Sequence, residues 1–97
     1  MGMFDRENYI IDKEKKCIKI KMSQKWIERN GETGGHYEWE YENITKNGRF
    51  EAREPFFPTH WYIVGINKNG AHQIEIFNSP KLAKIKCEEL NSILAAL

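Results

Sequence analysis

The chain carries three histidines and two cysteines, residue types that bind metals or act as acids, bases and nucleophiles. No two of its histidines stand four residues apart as in an HExxH zinc motif, and its cysteines do not form a CxxC pair. We therefore predict no bound metal or cofactor and a protein that is not an enzyme. The residues concerned are His36, His60, His72, Cys17 and Cys87.

Motifs for nucleophilic catalysis and phosphate binding do not occur either. The sequence has no GxSxG serine and no Cys-led signature of a catalytic thiol. Gly34, Gly35 and Gly48 lack the spacing of GxxxxGK and GxGxxG loops, so we predict that these glycines serve turns.

A short loop between two prolines is the first candidate binding site. In EPFFPTH, residues 54–60, Pro55 and Pro58 flank two phenylalanines. Proline fixes φ and lacks a backbone donor, so this segment is predicted to be a loop or a sheet edge. Aromatic side chains in a restricted loop are efficient anchors for a partner. The predicted site comprises Phe56, Phe57, Arg53, His60 and Trp61.

From this loop we predict a small non-enzymatic module that recognises a protein through the loop and the adjacent sheet edge. The partner is either another copy of the chain, giving a homodimer, or an unrelated protein. In the alternative interpretation of the loop, Phe56 and Phe57 fold back and cap the open end of the sheet.

Lysines along one strand suggest an alternative function, the binding of single-stranded nucleic acid. Proteins of that class combine a basic groove with aromatic side chains on which bases stack. The lysines concerned, which lie near aromatic strands, are Lys16, Lys19, Lys21 and Lys25. The formal net charge of +1, and an acidic segment after the basic one, argue against strong affinity for nucleic acid.

An aromatic row occupies HYEWEYE, residues 36–42, where Tyr37, Trp39 and Tyr41 alternate with glutamates. This period of two predicts a strand with aromatic side chains on one face. We predict that the row lies in the core, because aromatic side chains fit a half-buried pleated surface. An exposed platform is the alternative.

The segment that precedes the aromatic row alternates in the same way and is followed by a turn-rich stretch, residues 29–35, so the two segments are predicted to form a hairpin. The residues predicted to share the apolar face of this earlier strand are Ile18, Ile20, Met22 and Trp26. The predicted register, which would give an electrically mixed surface, pairs Lys25 with Glu38, Ser23 with Glu40 and Lys21 with Glu42.

Further hairpins are predicted on both sides of this pair. YII and CIKIK form one near the amino terminus, and Lys46-Asn47-Gly48 is a tight turn into RFEARE, residues 49–54, which would bring Glu42 near Arg53. WYIVGI, residues 61–66, is apolar on both faces and therefore predicted to be a central strand. Residues 67–70 turn it back into AHQIEIF, residues 71–77.

The chain ends in a predicted helix over about residues 80–97, with Ser79 as N-cap and Pro80 in the first turn. Its apolar stripe consists of Ala83, Cys87, Leu90, Leu94 and Leu97. The predicted fold class is therefore α+β: an antiparallel meander of five or six strands over about residues 9–77, with the helix packed on the sheet. This order of elements resembles that of pleckstrin-homology-like domains.

The length of 97 residues predicts a single domain spanning residues 1–97. No apolar run approaches the ~20 residues needed to cross a bilayer, and the amino-terminal stretch is charged where a signal peptide would be apolar. We therefore predict a cytoplasmic protein that does not bind membranes. Abundant isoleucine, lysine and asparagine is typical of AT-rich coding sequences and suggests a bacterial or phage source, such as a phage or mobile-element inhibitor of a host protein.

Overall fold

The computed structural model describes residues 8–31, 33–54 and 60–97. Its elements follow one another in the order β1 (Tyr9–Asp12), β2 (Cys17–Glu28), β3 (Gly35–Ile44), β4 (Arg49–Arg53), β5 (Trp61–Asn67), β6 (Gly70–Phe77) and α1 (Pro80–Ala96). The strands form two antiparallel three-stranded sheets, β1-β2-β3 and β4-β5-β6. The predicted α+β class with one carboxy-terminal helix is confirmed, and the apolar strand β5 is central in its sheet, as its sequence predicts.

The core lies where the base of the first sheet meets the second sheet and the helix. Ile18, Ile20 and Ile44 of the first sheet are fully buried and join Phe50 and Ile63 of the second sheet in one apolar cluster. Gly65, paired with Phe50, lies at this meeting point: a Cβ added to it would contact the side chains of Ile20, Ile44 and Phe50. A glycine is needed there because the two sheets approach too closely for a side chain.

Helix α1 begins and packs as its sequence predicts. The Ser79 hydroxyl accepts a hydrogen bond from the backbone N–H of Leu82 over 3.4 Å, and Pro80 stands in the first turn. The residues of the predicted stripe that are buried are Ala83, Cys87, Leu90 and Leu94. Leu97 is partly buried against the same core.

The helix also covers the outer edge of β4. Asn91 accepts a hydrogen bond from the Phe50 N–H over 2.9 Å and donates one to the Phe50 carbonyl over 3.0 Å. The Cys87 thiol donates to the same carbonyl over 3.1 Å. These side-chain bonds satisfy backbone groups that an edge strand otherwise leaves open to pairing.

The Asn47-Gly48 turn does not form the predicted hairpin. Gly48 N–H donates to the Thr45 carbonyl over 2.8 Å, which closes the turn, but β3 and β4 belong to different sheets. The predicted approach of Glu42 to Arg53 is therefore wrong. Arg53 instead pairs with Glu51 over 3.3 Å, and Glu42 bonds to the turn between β5 and β6.

The register of the β2–β3 hairpin is as predicted near its turn and shifts by one residue at its base. Lys25 pairs with Glu38 and Ser23 with Glu40, but Lys21 pairs with Tyr41 and not with Glu42. The cause is a bulge at Met22, where two residues of β2 oppose one of β3. Residues that alternate on one face of β2 before the bulge therefore lie on the opposite face after it.

The outer part of this hairpin extends beyond the rest of the sheet. Strand β1 pairs only with the Cys17–Ile20 part of β2, so that within the described residues the hairpin is two-stranded beyond Lys21. We call this segment, residues 22–28 with residues 35–41, the ribbon. The molecule measures 51 × 31 × 30 Å, an elongation that fits a projecting hairpin.

Candidate binding surface

The aromatic row of β3 lies on the face of the sheet that points away from the core. Ile44 and Glu42 pair with the buried Ile18 and Ile20, so the even-numbered residues of β3 share the core-facing side. Tyr37, Trp39 and Tyr41 therefore point the other way and are 63%, 43% and 36% exposed. The prediction that this row lies in the core is wrong, and the alternative of an exposed platform is confirmed.

Trp26 and Met22 were predicted to share the buried face of Ile18 and Ile20, and this prediction is also wrong. Trp26 is 46% exposed and Met22 is 43% exposed. The bulge at Met22 turns Trp26 to the outer face, where its ring packs edge-on against that of Tyr37 with centroids 5.1 Å apart. We call the resulting surface, formed by Trp26, Tyr37, Trp39 and Tyr41, the aromatic face.

Two lysines lie over this aromatic face. Lys19 Nζ is 5.6 Å from the centre of the Tyr41 ring, and Lys21 Nζ is 5.7 Å from the centre of the Trp39 ring. Both distances are within the range of cation–π attraction. Lys19 also pairs with Asp12 over 3.2 Å, while the Lys15 backbone N–H, and secondarily Lys19, hold the pKa of Asp12 below its usual value. The two ammonium groups thus fix ring orientations on the outer face.

The glutamates of β3 form the opposite face of the ribbon. Glu40 accepts a hydrogen bond from Ser23 over 3.0 Å, and Glu38 bonds to His36 over 2.8 Å. Lys25 stands opposite Glu38, as the register predicts, but makes no ion pair within the described part of the chain. Lys19 and Lys21 border the aromatic face at the base of the ribbon, whereas Lys25 and His36 lie on the same face as the glutamates. The predicted mixing of charges is therefore present where Lys25 is opposite Glu38 and absent where Lys21 is opposite Tyr41.

A polar junction ties the base of β3 to the second sheet. Glu42 accepts hydrogen bonds from the side-chain amides of Asn67 over 2.9 Å and Asn69 over 3.0 Å. His72 Nε2 lies 3.5 Å from the Glu42 carboxylate and 3.0 Å from Asn67 Oδ1. The hydrogen bonds from Asn69 and Asn67 hold the pKa of Glu42 below its usual value. This network fixes the orientation of the ribbon relative to the second sheet.

A cleft of about 710 Å³ lies beside the junction. Its walls are the end of β3, the turn into β4 and the turn between β5 and β6, and its lining includes Tyr41, Asn43, Arg49 and Lys68. The carboxylate of Glu42 there already accepts hydrogen bonds from two asparagines. The cleft thus offers polar contacts at the base of the aromatic face. Across the described residues, no three metal-ligating side chains come together.

The residues of the protein-binding site predicted at the proline-bracketed loop lie in different surroundings. Phe56 and Phe57 lie outside the described residues. Arg53 ends β4 in an ion pair with Glu51, and Trp61 packs partly against the core with Lys84 Nζ 5.4 Å above its ring. His60 is exposed at the start of β5. The structure thus gives Trp61 a packing role, and the loop site stays a prediction.

The lysines of the alternative prediction are distributed over three places. Lys19 and Lys21 border the aromatic face, Lys25 lies on the glutamate face, and Lys16 is exposed in the turn between β1 and β2. Sequence reasoning placed the aromatic row in the core and kept an exposed platform only as the alternative. The sequence signal for the exposed row is Ile44. It is the only apolar residue on the even-numbered side of β3, and it shares that side with the glutamates.

Both cysteines are buried and serve packing. Burial raises the pKa of the Cys17 thiol, and burial likewise raises that of Cys87. The thiols are thus protonated at neutral pH and poor nucleophiles, because the thiolate is the reactive form.

Comparison with known proteins adds no relative to this description. No family model, no curated protein and no solved structure matches the chain. The pleckstrin-homology-like order of elements stays a prediction from the sequence. Among the residues that the structure describes, no helix is both long and apolar enough to cross a membrane.

Proposed function

We propose that this protein is a small non-enzymatic module that binds another protein through the aromatic face of its ribbon. The observation that carries the proposal is the exposure of Trp26, Tyr37, Trp39 and Tyr41 together on one side of a projecting hairpin. Contiguous exposed aromatic surface of this kind marks interaction sites in soluble proteins.

The chemistry of the aromatic face fits a protein partner. Tyrosine and tryptophan are the residues most enriched among the hot spots of protein interfaces. The packing of Trp26 on Tyr37 and the lysines above Trp39 and Tyr41 already restrict these rings. Less side-chain entropy is then lost on binding, which favours affinity.

The ribbon also gains stability from such a partner. A two-stranded hairpin is only marginally stable in water, and a covering surface removes its aromatic side chains from solvent. A cytoplasmic inhibitor from a phage or mobile element that acts by occupying a host protein is the specific role we propose. It requires a surface and no catalytic group, and the loop of Phe56 and Phe57 stays a separate predicted contact.

The test compares two double variants in affinity capture from cells of the source, with nuclease present. Tyr37→Ala with Trp39→Ala removes the centre of the aromatic face, whereas Leu82→Ala with Ile85→Ala removes exposed apolar side chains from the helix. We expect the first variant to lose the captured protein and the second to retain it, both with near wild-type melting temperatures. Equal retention by both variants would overturn the proposal.

Binding of single-stranded nucleic acid is the second candidate, and the placement of Lys19 and Lys21 favours it. These cations lie beside rings on which bases could stack, and the glutamates that would repel phosphates point to the other face. Lys21→Glu should then abolish binding of an oligothymidylate in fluorescence anisotropy, while Lys25→Glu on the opposite face should weaken it less. Absence of salt-sensitive binding by the wild-type protein at low salt would exclude this candidate.

A further inference from the structure

Strand β3 has an outer edge that no other strand covers in the described residues. It is the last strand in the order β1-β2-β3, and its contacts with the second sheet lie at its base, where Asn67 reaches Asn43 and Glu42. From His36 to Tyr41 its outward backbone N–H and C=O groups therefore face solvent. Such a row of groups is a template for pairing with an added strand.

The other edges of the two sheets are shorter, interrupted or covered. Strand β1 has four residues, and Asn91 and Cys87 bond to the edge of β4. Strand β6 carries an irregularity at Ile74, whose carbonyl accepts a hydrogen bond from Asn8. The free edge of β2 in the ribbon carries the bulge at Met22. Strand β3 has no proline, no lysine and no bulge.

The side chains along this edge define the chemistry of a strand that could pair with it. Glu38 and Glu40 lie on one face, and Tyr37, Trp39 and Tyr41 lie on the other. A strand added beside β3 places its own side chains alternately next to these two rows. Positive side chains next to the glutamates and apolar side chains next to the rings complement both rows.

We propose that the edge of β3 captures an extended segment of the partner protein in which lysine or arginine alternates with apolar or aromatic residues. This inference rests on the proposed function and adds the binding mode: the partner extends the first sheet, with main-chain hydrogen bonds to β3 and side-chain selection on both faces. The aromatic face then continues across the added strand.

A second copy of the chain does not meet this requirement. In a two-fold antiparallel pairing of β3 with itself, opposite residues lie on the same face, so even-numbered residues oppose even-numbered residues. When Trp39 lies on the two-fold axis, Glu38 of one copy is opposite Glu40 of the other. In the two neighbouring registers, either Glu38 is opposite Glu38 or Glu40 is opposite Glu40. Like charges directly opposite each other are destabilising, so a cationic segment is the better occupant.

The probe for this inference is a synthetic peptide of about eight residues, the length of an ordinary strand, in which lysine alternates with phenylalanine and valine. A matched control peptide has the same side chains and charges but carries N-methyl groups on alternate backbone nitrogens, which removes the donors facing β3. Binding is measured by fluorescence anisotropy at physiological ionic strength, and hydrogen exchange locates the bound segment.

We expect the unmodified peptide to bind and to slow exchange of the outward amides of residues 36–41. Glu38→Lys with Glu40→Lys should weaken the peptide about tenfold, and Glu38→Gln with Glu40→Gln should weaken it less. The control pair Glu14→Lys with Glu88→Lys makes the same change of net charge at exposed positions outside the ribbon and should leave affinity near that of wild type.

Three results would overturn the inference. Equal binding of the N-methylated peptide, or exchange protection outside β3, would show that charge attraction alone holds the peptide. No binding of the unmodified peptide, with partner capture still lost in the Tyr37→Ala and Trp39→Ala variant, would also reject strand addition. In that last case the aromatic face remains the binding surface, so the two proposals fail separately.

Discussion

The two ends of strand β3 show how one strand can serve both packing and binding. At its base, Ile44 is fully buried and Glu42 is hydrogen-bonded to asparagines of the second sheet. At its outer end, Tyr37 is 63% exposed and pairs only with β2 among the described residues. The base is held by side chains from several elements, whereas the ribbon is held by one neighbouring strand. We call the described residues outside the ribbon the body. This difference suggests that the body carries the stability of the fold and the ribbon carries its binding surface.

The largest expected effect of a single change lies in the body. Leu90 is 1% exposed in the core cluster, so Leu90→Ala should lower the free energy of unfolding by about 2 to 5 kcal/mol through lost burial and a residual cavity. Urea denaturation followed by circular dichroism measures this. Leu82→Ala, at an exposed position of the same helix, is the control and should change stability by less than about 0.5 kcal/mol. Similar values for both variants would mean that the helix stripe does not support the core.

The sequence predicts the elements well because their signals are local. Alternation identifies β2 and β3, the Ser79-Pro80 pair marks the start of the helix, and the apolar β5 is central as expected. These features depend on side-chain period and capping within a few neighbouring residues. They could therefore be read without knowledge of the tertiary structure.

Which face of the β2–β3 hairpin is buried could not be predicted from such local signals. Alternation of aromatic and charged residues shows that the two faces of a strand differ, but aromatic side chains suit a buried face and a binding surface equally well. For β3 the outcome follows from Ile44, whose burial turns the even-numbered side toward the core. For β2 it depends on the bulge at Met22, which shifts the register by one residue and brings Trp26 to the outer face. The residue type at position 22 does not by itself predict a bulge.

A smaller effect is expected at the junction between the body and the ribbon. Glu42→Gln keeps the shape of the side chain but removes the charge that accepts hydrogen bonds from Asn67 and Asn69, so stability at pH 7 should fall by about 1 kcal/mol. Because the pKa of Glu42 is lowered in the folded protein, its stabilisation is present above the ordinary carboxyl range and is lost as pH falls through the folded pKa. The difference between wild type and variant should therefore shrink on acidification.

The measurement for this junction is the urea midpoint of both proteins across the range from about pH 7 to pH 3. Glu14→Gln, in the exposed turn between β1 and β2, is the matched control because it makes the same chemical change at an exposed side chain outside the junction. A constant difference between wild type and Glu42→Gln at every pH would show that the carboxylate charge contributes nothing to the junction.

The smallest effect on global stability is expected in the ribbon itself. Trp26→Ala removes the edge-on contact with Tyr37, an aromatic pair of a kind worth about 0.5 to 1.5 kcal/mol. Because the ribbon is held by one neighbouring strand, we expect it to open locally. The loss should then appear as faster hydrogen exchange in residues 24–28 and 35–39, with the global urea midpoint almost unchanged. Ile76→Ala, exposed on β6, should alter neither quantity in the ribbon. The contrary result is a global urea midpoint for the Trp26 variant as low as that of Leu90→Ala. The ribbon would then unfold cooperatively with the body, and the distinction between a stable body and a locally opening ribbon would not hold.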